Sequence, residues 1–182
     1  MAGRHQCDNA ALAVTAAEAF LGTPLRAGGV TAALEPLQVP GRAEIVGRAP
    51  LVLVDGAHNA AGAAALRRTV DELGAAANRK VLVCGVLAGR VVAEFLTYLG
   101  VGGYDLVVAT EPGSPRALPA DTVAATARWL GTPSITVSDP AAALARAVDA
   151  AGPDGTVVGT GSLHLVGALR RAAGGTRAVG LP

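Results

Sequence analysis

The sequence predicts a three-layer α/β domain built on a mostly parallel sheet, with an N-terminal helical appendage. Short, largely apolar runs at residues 51–54, 80–84, 106–109, 134–137 and 156–158 are expected to be strands buried on both faces. Segments of helical spacing separate them, and strands alternating with helices favour parallel pairing with helices on both faces. A length of 182 residues suits one domain with a substantial core and is short for two ordinary ones.

The first helix is expected over 9–21, where Leu12, Ala13, Ala16, Ala19 and Phe20 recur at helical spacing before Gly22 and Pro24 stop it. A short helix is expected at 30–34, between Gly28-Gly29 and Pro36, and Pro40-Gly41 then marks a turn. The first strand, 51–54, follows Pro50 and stops at Asp55-Gly56. A helix at 60–73 is closed by Gly74, and further helices are expected at 91–99, 121–130, 140–150 and 163–171, the fourth of these five opening with proline. Residues 1–40 thus form a helical segment attached to a sheet domain at 41–182.

Hydrophobic residues make up 51% of the chain and aromatics only 3%, so the core is expected from Ala, Val and Leu, and a disordered chain is excluded. Every apolar run breaks well before the roughly 18 residues of a membrane span, so no membrane partner is expected. Arg4, His5 and Asp8 come too early for a signal peptide, and a net charge of +1 gives no basis for nucleic-acid binding. Cys7 and Cys84 form no paired motif, which points away from a disulfide framework or a metal site and makes a reducing cytoplasm the expected compartment.

In open parallel sheets, ligands bind beyond the carboxyl ends of the strands. Here those ends carry Asp55-Gly56-Ala57-His58-Asn59, Gly85, Thr110-Glu111 and Gly159-Thr160-Gly161-Ser162. Asp-Gly also suits a plain turn, and Asn59 suits an N-cap of the helix that follows it. Asn9 reads equally as the cap heading the first helix, and Arg42 as a solvated charge.

Taken together, "GRHQ" before "NAALA", then "PGRAEIV", "LVLVDGAHNAAGA", "SPRAL" and "GTGSLHLVG" resemble, in order, the C-terminal part of folylpolyglutamate synthase and dihydrofolate synthase in the Mur ligase superfamily. That resemblance implies a Rossmann-like domain that closes over a nucleotide held by a separate P-loop domain. It implies ATP and magnesium as cofactors, with the magnesium ligands on that other domain, supplied in cis or in trans. L-glutamate is then joined to folate or dihydropteroate through an acyl phosphate. By motif, Asn9, Arg42 and Asp55 fall on ATP-binding positions, Arg42 toward the phosphates and Asp55 toward the ribose. His58 and Ser162 fall on positions that hold glutamate. Arg42 and His58 are the expected catalytic pair.

The chain departs from the family at "GVLAGRVV", where Asp-Lys-Asp commonly stands at Gly89, Arg90 and Val91. Arg90 keeps the cation expected at a glutamate carboxylate. No G-x-x-x-x-G-K-[ST] loop occurs in the chain, and residues 1–40 are expected to be the remnant of an interdomain junction. Two other readings stay open: another Mur-type ligase domain, and a stand-alone, non-catalytic module binding a nucleotide or an amino acid. A Rossmann dehydrogenase is disfavoured because no G-x-G-x-x-G follows the first strand.

Overall fold

A computed structural model describes residues 3–73 and 78–174. Its elements in order are α1 (Arg4–Leu21), α2 (Ala27–Leu34), β1 (Glu44–Arg48), β2 (Leu51–Val54), α3 (Ala60–Leu73), β3 (Lys80–Cys84) and α4 (Val92–Leu99). They continue with β4 (Leu106–Ala109), α5 (Ala120–Trp129), β5 (Ser134–Thr136), α6 (Pro140–Ala151), β6 (Thr156–Thr160) and α7 (Leu163–Ala172). The bounds of α3, β2, β3 and β4 match the expected ones. Gly74, expected to close α3, lies outside the described residues.

The six-stranded sheet runs β1-β2-β6-β3-β4-β5, parallel except for β1, which pairs antiparallel with β2. Strand β1 is a correction to the five-strand expectation. Its sequence Glu-Ile-Val-Gly-Arg is charged at both ends, which an edge strand tolerates far better than a strand buried on both faces. Its register with β2 shifts between Ile45 and Gly47, a local irregularity that re-aims the strand beside the loop that precedes it.

Successive residues of a strand face opposite ways, so each central strand feeds two cores. On one face α3, α4 and α5 bring Leu66, Leu96 and Val123 onto Leu53, Leu82, Val107 and Val158. On the other, α6 and α7 bring Ala147, Leu165 and Leu169 onto Val54, Val83 and Val157. Each fully buried leucine contributes about 1.5–3 kcal/mol. Buried alanines at 124, 127, 143 and 147 let α5 and α6 lie close to the sheet, which is how a chain almost without aromatic residues fills its core.

The appendage packs differently. Helix α1 buries only Gln6, α2 buries no residue, and Phe20 is 90% exposed. Helix α1 also starts at Arg4, with Gly3 (φ 91°) as its uncapped N-cap, so Asn9 sits inside the helix rather than at its head. The expectation that Asn9 caps this helix is therefore corrected, whereas Asn59 does cap α3, its Oδ1 accepting from Gly62 N at 2.8 Å.

Candidate functional site

The strand order decides which loops meet. Strand β6 comes last in the chain but lies between β2 and β3, so the segments after β2, β6 and β3 become neighbours at the carboxyl edge. Ala57 O accepts from Gly161 N at 3.0 Å and from Thr160 Oγ1 at 3.2 Å, and Thr160 O accepts from Gly85 N at 3.2 Å. Gly161 holds φ 114°, and a Cβ there would stand 2.5 Å from Gly85 O, so the close approach of the loops requires glycine.

These loops enclose a cavity of about 180 Å³ lined by His58, Leu87, Arg90, Gly161, Ser162, Leu163 and His164. His58 Nδ1 lies 2.9 Å from Gly56 O. A carbonyl only accepts, so the ring proton is on Nδ1, and in the neutral imidazole Nε2 is left as an acceptor. Ser162 is 2% exposed and caps α7, its Oγ accepting from Leu165 N at 3.1 Å. The hydroxyl proton remains to be donated, beside the free N–H groups of the first turn of α7. Arg90 is exposed on the loop between β3 and α4 and supplies a fixed cation. His58, Ser162 and Arg90, three of the residues picked out in the sequence, therefore line one cavity.

Arg42 stands on a second surface, a cavity of about 240 Å³ that also includes Gln38, Glu44 and Arg48. Its side chain is exposed, but its backbone is fixed. Gly41 (φ 69°) and Ala43 (φ 45°) on either side are both left-handed, a cost for alanine that the surrounding bonds must offset. Gly41 O accepts from Gly56 N at 2.8 Å, which ties this turn to the segment bearing His58.

Asp55 has a structural role that the motif did not reveal. It is 4% exposed, Oδ2 accepts from Ala43 N at 2.7 Å, and Oδ1 accepts from Ala57 N at 2.7 Å. The carboxylate thus braces the Arg42 turn, and only its remaining lone pairs are available to a ligand. Asn9 is exposed on α1, donates to Gln6 Oε1 at 3.4 Å, and lines neither cavity.

Sequence reading noted Glu44 after Pro40-Gly41-Arg42 but assigned no role to it, to His164 or to Arg170. His164 is two residues beyond Ser162 in the first turn of α7, and that spacing was the available signal. Glu44 and Arg170 are 126 positions apart, and no local pattern joins them. Cys84 ends β3 close to these loops, but burial pushes its thiol up to about 12, so it is not a nucleophile near neutral pH. Among the described residues, no cluster of three or more His, Cys, Asp or Glu is placed to hold a metal ion. No described helix is long and apolar enough to cross a membrane.

Comparison with known proteins identifies the family and the fold. The Mycobacterium tuberculosis dihydrofolate synthase/folylpolyglutamate synthase is 38% identical over 128 residues, which is 67% of this chain and 26% of that protein. A solved M. tuberculosis folylpolyglutamate synthase, complexed with ADP and AMPPCP, superimposes with a TM-score of 0.88 at 35% identity, covering 98% of this chain and 42% of that one. E. coli FolC in complex with DHPP and ADP gives a TM-score of 0.77 at 28% identity, over 87% of this chain and 36% of that one. The chain thus spans about a quarter to two-fifths of the length of these relatives. The model of the Mur ligase glutamate ligase domain matches residues 41–163, and the chain belongs to that family.

Proposed function

We propose that this chain is the C-terminal part of an ATP-dependent acid–amino-acid ligase that adds L-glutamate to folate or dihydropteroate, working with an ATPase domain supplied in cis or in trans. The observation that carries the reading is the hydrogen bond between Gly41 O and Gly56 N, which couples the Arg42 turn to the cavity of His58, Ser162 and Arg90. The terminal phosphoryl group of ATP passes to the acceptor carboxylate with release of ADP, and the glutamate amine then displaces phosphate to form the amide.

Each residue suits one part of that chemistry. Arg42 reaches out from a braced turn and offers a planar cation to phosphate oxygens as charge shifts between them. The remaining lone pairs of Asp55 accept from ribose hydroxyls, and Asn9 meets the nucleotide from the appendage. Arg90 and the Ser162 hydroxyl bind glutamate carboxylates, charge-assisted in the case of Arg90. His58, with its proton on Nδ1, turns an accepting Nε2 toward the amine and orients it for attack. Magnesium and the phosphate-cradling loop belong to the ATPase domain, since the 182 residues contain no G-x-x-x-x-G-K-[ST].

The test supplies the chain with that ATPase domain, MgATP, glutamate and either dihydropteroate or folate, and follows the product by mass spectrometry. The expected result is a product heavier by one glutamate residue with one ADP released per bond, and no turnover by the chain alone. A folded, nucleotide-binding assembly that transfers glutamate to neither acceptor contradicts the assignment, and points to another Mur-type acceptor or to a binding module.

A further inference from the structure

The turn that presents Arg42 is held from two sides by carboxylates. Asp55 takes the N–H of Ala43, as described above. Glu44 takes the N–H of Gly41, its Oε2 lying 2.7 Å from that nitrogen. Glu44 is itself held by Arg170, whose Nε is 2.8 Å from Oε2 and 3.0 Å from Oε1, with the two side chains 26% and 18% exposed respectively. Arg170 lies in the last turn of α7, the helix whose first residues line the cavity with Ser162.

We infer that the Glu44–Arg170 ion pair positions Arg42 for its contact with the transferring phosphate, and that α7 links the two halves of the site. This rests on the proposed role of Arg42. The turn has left-handed backbone at both residues flanking Arg42; glycine adopts it freely at 41, whereas Ala43 holds it only where its surroundings over-determine it. Glu44 needs a cation because a half-buried carboxylate without one draws toward solvent, and would then release the Gly41 N–H. Among the described residues no hydrogen bond joins Arg170 to the turn's backbone, and its link to the turn runs through Glu44. It is a positioning residue, not a catalytic one.

Two measurements test this. In the chain itself, Arg170→Met is expected to speed amide exchange at Gly41 and Ala43 by about tenfold or more, with central sheet amides unchanged. In the complete ligase, Arg170→Met is expected to lower kcat by roughly 10- to 100-fold, as small misplacements of a catalytic group do. The KM for glutamate should stay within about twofold of the wild-type value. Adding Arg170→Met to Arg42→Ala should cause no further loss, because both remove the same contact. Arg170→Lys should recover most of the activity, and Arg171→Met, on the neighbouring exposed residue, should leave it unchanged. If Arg170→Met does not fold, Glu44→Gln removes the ion pair while leaving an acceptor for Gly41 N, and the same losses are expected.

The inference is overturned if Arg42→Ala lowers kcat while Arg170→Met and Glu44→Gln do not, or if the losses multiply in the double variant. A silent Arg42→Ala is a different failure. It removes the proposed function of Arg42 and the positioning role with it, while the exchange measurement still reports whether the ion pair holds the turn.

Discussion

The carboxylate of Asp55 lies 2.7 Å from the backbone nitrogen of Ala43, so the end of β2 fixes the turn that carries Arg42. Its other oxygen holds Ala57 N at the same distance. Replacing Asp55 by alanine strands two buried donors, each costing about 1–3 kcal/mol. Asp55→Ala is therefore expected to destabilise the chain by about 3 kcal/mol in urea unfolding, and Asp55→Asn, which keeps one acceptor, by roughly half that. A loss below about 1 kcal/mol for the alanine variant contradicts the bracing role.

Gly161 gives a second stability prediction. A side chain there meets Gly85 O at 2.5 Å and would have to adopt φ 114°. Gly161→Ala should cost about 2 kcal/mol or more and should open the cavity around His58, because the loops after β6 and β3 must separate. Thermal unfolding that matches wild type would show that the loops have room to spare.

The two cysteines should differ in reactivity. Cys7 is exposed on α1 and Cys84 is buried with its thiol pushed up to about 12. A maleimide at neutral pH is expected to label one thiol in the native chain and both after denaturation. The same burial makes the fold sensitive to alkali. Because the Cys84 pKa is raised from 9.0 in the folded state, its contribution to stability is complete below about pH 9 and is lost as pH rises toward 12. Tyr104, pushed up by burial and then by the charge of Asp71, acts in the same direction. Cys84→Ala should flatten the fall in stability over that range, and an unchanged slope would exclude the thiol as its source.

The appendage is expected to be the least protected part of the chain. With only Gln6 buried across α1 and α2, few contacts oppose local opening. Hydrogen exchange over residues 4–35 should run orders of magnitude faster than over β3 and β6. Equal protection in both regions would mean that α1 and α2 are held as firmly as the sheet.

Much of this architecture was legible, and the gaps have physical causes. Strands such as Val81–Val83 and helices such as α3 declare themselves because burial on both faces, or on one helical stripe, leaves a periodic pattern in the residues. Strand β1 leaves no such pattern, since an edge strand accommodates Glu44, Gly47 and Arg48. The early start of α1 was hidden because Asn9 looks like a cap, while the helix begins at a glycine that offers no side-chain cap. At the site, Asp55 and His58 closely follow one apolar run and Ser162 follows another beside Gly161, which marked them. The bracing role of Asp55 depends on the pairing of β1 with β2, and the meeting of His58 with Ser162 depends on the insertion of β6 between β2 and β3. Neither is a local property of the chain.

The measurement that tests the central claim most directly is the paired kinetics of Arg42→Ala and His58→Ala in the complete ligase, with ATP and glutamate varied separately. If Arg42 serves the phosphate and His58 the amine, Arg42→Ala lowers kcat with little change in the KM for glutamate. His58→Ala instead impairs kcat/KM for glutamate by about 10- to 150-fold and leaves the KM for ATP nearly unchanged. If both variants keep wild-type kinetics for both substrates and lose only thermal stability, these residues are structural and the proposed site is wrong.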